Sequence, residues 1–278
     1  MRMHRFKPCG DSSLVDPSEL HRTLPQLPIT PSFRLDNRRA LITGAGRGIG
    51  SAASAALADA GASVTLVSRN ANELESVVNE LRRRGGNARH VVLDVTDSDL
   101  VTRVLADEGP FDILVNSAGT NRPALLSETL DDDLDIMLDL NVRSTFLVCR
   151  QVARGMVAAA RGGSIVTISS QMGHVGGPKR SVYCATKHAI EGMSKALAWE
   201  LGPHGIRVNT VCPTFIETAM TAPMLADPNF RDYVQSRIAL GRVGKLEDVM
   251  GAILFLCSDA AAMVTGSALM VDGGWTAA

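Results

Sequence analysis

From Arg38 onward, short β-branched runs alternate with longer amphipathic stretches, and no other feature limits the possible folds of this chain more. The runs at 40–43, 63–67, 88–93, 111–115, 164–169, 207–211 and 268–271 read as buried strands, and helical segments separate them. Parallel neighbours need a crossover connection, and a helix after each strand provides it. The expectation is an α/β fold: one doubly wound, mostly parallel sheet with helices on both faces and ligands at the carboxyl ends of its strands. No internal repeat and no second domain is expected within 36–278.

A chain of 278 residues with 45% hydrophobic content is long enough for one large domain, and its net charge of -1 argues against a nucleic-acid binder. No apolar run approaches the ~18 residues that a membrane span needs, and the first residues lack the apolar core of a secretory signal. A soluble, cytoplasmic protein acting on a small molecule is therefore expected, with no membrane or nucleic-acid partner. Cys9, Cys149, Cys184, Cys212 and Cys257 are odd in number, scattered and without C-x-x-C spacing. They read as reduced packing residues, and no metal site is expected. Residues 1–35 differ from the rest. Pro8, Pro17, Pro25, Pro28 and Pro31 interrupt any regular element, so this stretch reads as an extended leader without a catalytic role.

Directly after the first strand comes Thr43-Gly44-Ala45-Gly46-Arg47-Gly48-Ile49-Gly50, opening an alanine-rich helix expected over 51–60. The spacing is G-x-x-x-G-x-G at Gly44, Gly48 and Gly50 rather than G-x-G-x-x-G. Between a strand and a helix, such a loop lets backbone approach a pyrophosphate and aims the helix N-terminus at its charge, which makes Gly46, Arg47 and Ile49 cofactor contacts as well. The end of the second strand discriminates between dinucleotides, since an NAD site usually offers an acid there to the ribose 2′-hydroxyl. This chain has Ser68-Arg69-Asn70 instead. Arg69 and Arg47 are placed to bracket a 2′-phosphate, so NADP is expected over NAD. Asp94-Val95 after the third strand is expected near the adenine, and Asn116-Ser117-Ala118-Gly119 after the fourth along the cofactor.

Tyr183-Cys184-Ala185-Thr186-Lys187, if helical, puts a phenol and an ammonium on one face. Bringing a phenol from its ordinary pKa of ~10 to about 7 takes roughly 4 kcal/mol, which a cation one turn away helps to provide.

T-G-x-x-x-G-I-G at 43–50, N-x-A-G at 116–119 and Y-x-x-x-K at 183–187 together resemble the short-chain dehydrogenase/reductase family, over roughly residues 36–278. The resemblance implies a Rossmann-type sheet and a catalytic tetrad. Its serine, thirteen residues before the tyrosine, falls on Ser170, and its asparagine, in the long helix before that strand, falls on Asn141. It implies that Tyr183 passes a proton to or from the substrate oxygen, that Ser170 polarises that oxygen, and that Lys187 lowers the phenol pKa and binds the nicotinamide ribose. Asn141 would hold a water linking Lys187 to solvent. The segment Asn209 to Thr218 resembles N-x-x-x-P-G-x-x-x-T, implying carboxamide and phosphate contacts at Ile216 and Thr218; Thr214 replaces its usual glycine, putting the local turn in question.

Residues 214–240, with Pro223, Pro228 and several methionines, resemble the family's substrate lid. Ser170, Met172, His174, Arg180 and Tyr183 are the substrate-contact candidates, His174 and Arg180 suiting a polar or anionic group. Helices expected over 146–160 and 184–201 are available to pack across a two-fold, so a homotetramer or homodimer is expected. The implied activity is hydride transfer between NADP(H) and a small secondary alcohol or ketone of polyol, sugar-acid or 3-oxoacyl type. The alternatives are an NADP(H) sensor without turnover and a related lyase or epimerase.

Overall fold

The computed structural model describes residues 27–278; most of the leader expected over 1–35 lies outside the described residues, as does Cys9. The first half runs β1 (Arg39–Thr43), α1 (Gly48–Asp59), β2 (Ser63–Ser68), α2 (Ala71–Arg83), β3 (Ala88–Val92), α3 (Ser98–Glu108) and β4 (Ile113–Asn116). The second half runs α4 (Asp131–Leu138), α5 (Ser144–Ala159), β5 (Gly163–Ile168), α6 (Ser181–Leu201), β6 (Ile206–Pro213), α7 (Ala222–Leu225), α8 (Pro228–Arg237), α9 (Leu246–Cys257) and β7 (Ala268–Val271).

The seven strands form one sheet in the order β3-β2-β1-β4-β5-β6-β7, and every pairing is parallel. The order reverses between β1 and β4, where Thr43 lies opposite Asn116, so the phosphate loop and the 116–119 segment open at the same point of the sheet. Each expected strand is present, the β-branched residues of the inner strands marking them in sequence. All four residues of β4 are buried.

Helices cover both faces. On one, α1 and α9 pack through Ala53, Leu57, Val249 and Ile253; on the other, α3 and α5 pack through Leu105, Val148, Val152 and Met156. In α2 the buried Leu74, Val78 and Leu81 are spaced for one helical face, and Asn70 caps it by accepting from Glu73 N at 3.2 Å.

Three local differences from expectation have physical causes. Helix α1 begins at Gly48 rather than Ser51, so two of the loop glycines already lie in its first turn. The helix carrying Asn141 is interrupted by a π-helical stretch at Asp139–Arg143 between α4 and α5. Within 214–240 the chain forms α7 and α8, because Pro223 and Pro228 fall in helix first turns, where proline costs no hydrogen bond, and Asp227 caps α8 through Asn229 N. Packing also starts before Arg38: Leu35 is buried and its N–H donates to Ala60 O at 2.8 Å.

Candidate active site

A cleft of about 800 Å³ opens at the carboxyl ends of β1, β2, β4, β5 and β6. Its floor is the loop from Gly44 to Gly50, and two of these glycines are required by close approach. A Cβ on Gly44, whose φ is +63°, would sit 2.8 Å from Ala118 N, and one on Gly50 would sit 2.2 Å from Gly44 O. Gly50 is therefore a packing residue behind the loop rather than part of the wall. Gly48, at φ +59°, faces open space towards Thr218, 3.7 Å from the position of a Cβ. Helix α1 has no acidic residue in its first turn and no side-chain cap, leaving its N-terminal N–H groups to the cleft. These residues fit a dinucleotide pyrophosphate.

At one end of the cleft the walls include Ser68, Arg69, Asn70, Asp94 and Val95, as the sequence suggests, together with Arg47. Sequence reasoning missed Glu73, which lines the same end. Arg47 Nη1 lies 3.5 Å from Glu73 Oε1 and Arg69 Nη1 lies 3.8 Å from Asp94 Oδ2, both arginines being more than two-thirds exposed. Such loose, solvated pairs are worth little and leave both guanidinium groups exchangeable towards a ligand anion. The capping spacing Asn70-x-x-Glu73 was the available signal for Glu73.

At the other end stand Ser170, Tyr183, Lys187, Ile216, Thr218 and the 117–120 segment. Helix α6 presents Tyr183 and Lys187 on one face, and Lys187 Nζ lies 5.6 Å from the centre of the tyrosine ring. Lys187 is 7% exposed and donates to Ile168 O at 2.8 Å. Ser170 Oγ accepts from Met172 N at 3.1 Å, which fixes the hydroxyl while leaving its proton to donate. Asn141 does not reach the wall. It sits behind Gly119, where its Oδ1 accepts from Thr120 N at 2.8 Å and its Nδ2 donates to Thr120 O and Thr186 Oγ1. It thus ties the wall segment to the helix that bears the tyrosine.

The expected acidification of the phenol is not a property of this arrangement. Burial pushes Tyr183 up to about 12, against opposing contributions from the Ser170 hydrogen bond and the Arg180 charge. Burial likewise pulls Lys187 down to about 8. In a dry pocket desolvation disfavours both charged forms, and at Tyr183 it outweighs the Ser170 hydrogen bond and the Arg180 charge together.

Other expectations resolve individually. Asn116 is buried, its Nδ2 donating to Cys149 Sγ at 3.1 Å, so it fastens β4 to α5 instead of touching the cleft. Thr214 needs no glycine: among the described residues other than glycine only Asn37, Ala160 and Lys179 have positive φ. Thr214 lines the cleft with a buried Oγ1 that has no hydrogen-bond partner among the described residues. Met172, His174 and Arg180 lie outside the cleft wall. Met172 packs in an apolar cluster with Phe215, Leu225 and Trp275 beneath the lid segment. His174 Nε2 lies 3.6 Å from both Cys212 Sγ and Glu191 Oε1, while the Cys212 thiol donates to Glu191 Oε1 at 3.3 Å and Thr210 Oγ1 donates to Glu191 Oε2 at 3.0 Å. This polar cluster joins residues up to 38 positions apart, and no motif announces it.

Residues 44–276 match the family profile described as enoyl-(acyl carrier protein) reductase. D-erythrulose reductase of Gallus gallus is 42% identical over 245 residues, 88% of this chain and 98% of that protein. Gluconate 5-dehydrogenase of Gluconobacter oxydans is 41% identical over 248 residues, 88% of this chain and 96% of that protein. Among solved structures, a gluconate 5-dehydrogenase from Burkholderia cenocepacia in complex with NADP and tartrate superposes with a TM-score of 0.86 at 36% identity, covering 88% of this chain and 98% of that one.

Proposed function

The chain belongs to the short-chain dehydrogenase/reductase family, and from that membership we propose that it transfers hydride between NADP(H) and a small secondary alcohol or ketone of polyol, sugar-acid or 3-oxoacyl type. The observation that carries this reading is that Ser170, Tyr183 and Lys187 share one cleft wall with the loop from Gly44 to Gly48. A phosphate cradle and a proton donor thus belong to the same site.

NADP, when bound, provides the nicotinamide carbon that gives or accepts hydride. The N-terminus of α1 and the backbone of Gly46, Arg47, Gly48 and Ile49 hold the pyrophosphate, with Thr218 opposite. Arg47 and Arg69, only loosely paired with Glu73 and Asp94, would hold a 2′-phosphate, which would favour NADP over NAD; the gluconate 5-dehydrogenase noted above is a relative seen with NADP. Ile216 and Thr218 would hold the carboxamide end, Ala118 and Gly119 would flank the cofactor, and Asp94 and Val95 would meet the adenine.

In the reducing direction Tyr183 Oη donates its proton to the substrate oxygen, and Ser170 Oγ donates a hydrogen bond to the same atom as negative charge builds there. Lys187, brought down to about 8 by burial and so still charged at pH 7, stabilises the phenolate formed as the tyrosine gives up its proton. Asn141 positions Gly119 and Thr120 and holds α6 in place.

Exposed Phe146 on α5 and Trp199 on α6 support pairing of these helices with a second copy, as a homodimer or homotetramer. A monomer by sedimentation at micromolar concentration would exclude this assembly.

Loss of NADPH absorbance with a panel of ketoses, keto-sugar acids and 3-oxoacyl thioesters tests the activity. Net cofactor oxidation supports the oxidoreductase. Substrate conversion with cofactor unchanged marks a lyase or epimerase, and NADPH binding without any conversion marks a sensor.

A further inference from the structure

Arg180 is 7% exposed, yet no carboxylate lies within ion-pair distance of it among the described residues. Its Nη1 donates to Lys179 O at 3.1 Å and its Nη2 to Met224 Sδ at 3.0 Å, so a group with five N–H donors has one carbonyl and one thioether for partners. A thioether is a weak acceptor. Arg207, a half-buried arginine, shows what a structural role looks like: it donates to Leu256 O at 2.8 Å and Ser258 O at 3.1 Å, closing the end of α9. Arg180 closes no helix end.

Its placement is enforced. The preceding Lys179 has φ +60°, a strained value for a residue with a side chain, and Arg180 is the residue from which α6 starts, three positions before Tyr183. The charge is felt at the tyrosine, where it favours the phenolate, and burial pulls the guanidinium pKa below its ordinary value. The sulfur over it belongs to α7, within the segment that resembles a lid. A desolvated, under-bonded cation beside the proton donor, with a thioether on one of its nitrogens, is costly to the folded protein unless something anionic meets it.

Resting on the oxidoreductase reading above, we propose that Arg180 is the substrate-selecting residue and that its ligand is the carboxylate of a sugar acid, which displaces Met224 from the guanidinium when it binds. A planar carboxylate matches the guanidinium fork with two charge-assisted hydrogen bonds, whereas a neutral ketose offers only hydroxyls and leaves the charge uncompensated.

The test separates binding from turnover. In the Tyr183→Phe protein saturated with NADP, calorimetry should find 5-keto-D-gluconate bound on the order of 100-fold more tightly than L-sorbose, a neutral ketose of equal length. Adding Arg180→Gln should remove most of that ratio, and Arg180→Lys should restore part of it, since it keeps the charge and loses the fork. Equal affinity for the two sugars, or a ratio that Arg180→Gln leaves in place, overturns the assignment. In the otherwise unaltered enzyme, a lack of NADPH oxidation across the whole panel of ketoses, keto-sugar acids and 3-oxoacyl thioesters would refute the oxidoreductase reading, while the binding ratio still decides the role of Arg180.

Discussion

Lys187 Nζ lies 5.6 Å from the centre of the Tyr183 ring and donates its one tight hydrogen bond, at 2.8 Å, to Ile168 O. The ammonium is thereby anchored to the end of β5, the strand that leads into Ser170. Helix α6 and strand β5 are locked together beside the side chains proposed to react.

Replacing Tyr183 by Phe removes the proton donor without changing ring packing. Turnover should fall by about 10²–10⁴-fold, the usual weight of general acid catalysis, while NADP affinity changes by less than about threefold. Stopped-flow hydride transfer and cofactor fluorescence measure the two separately. Substantial residual activity would remove Tyr183 from the chemistry.

The depressed pKa of Lys187 has a definite sign in stability. Its folded value of about 8 lies below the unfolded value of 10.5, so between these pH values the unfolded chain binds more protons and the penalty of burying the ammonium is relieved as pH rises. Relative to Lys187→Met, the unmodified protein should gain stability between pH 7 and pH 9.5, on the order of 1 kcal/mol. Urea midpoints of both proteins at the two pH values decide it. A constant or shrinking difference contradicts the burial argument.

Ser68→Asp should shift preference from NADP to NAD by on the order of 10–100-fold. Ser68 Oγ lies 3.2 Å from where a Cβ on Gly46 would stand, beside the Glu73 carboxylate, so a second acid there meets the 2′-phosphate with concentrated negative charge. Michaelis constants for both cofactors are the readout, and an unchanged ratio would exclude this end of the cleft as the discriminator.

Gly50→Ala should destabilise the protein by about 1–3 kcal/mol and weaken NADP binding, because the new methyl falls 2.2 Å from the Gly44 carbonyl and the phosphate loop must shift. Gly251→Ala is the control: nothing lies within 4 Å of its Cβ position in α9, so helix propensity should make it neutral or stabilising by about 0.5–1 kcal/mol. Thermal melts that rank the two variants the other way round would remove close packing as the reason for the glycine.

The strands, the glycine loop between β1 and α1 and the shared face of Tyr183 and Lys187 were legible in sequence because each rests on a short-range regularity. β5 and β6 stand out by their β-branched residues, Gly44 and Gly50 by their place between strand and helix, and Tyr183 with Lys187 by a one-turn spacing. Short-range spacing fixes which side chains share an element and a face, since backbone geometry sets those relations without reference to the rest of the chain. The tertiary structure alone decided that Glu73 holds Arg47, that Met224 covers Arg180, that Asn116 turns to Cys149, and that His174, Glu191 and Cys212 meet. Those contacts join residues 17 to 44 positions apart. The direction of the Tyr183 shift belongs with them, because desolvation depends on everything packed around a group and on no spacing that a linear sequence displays.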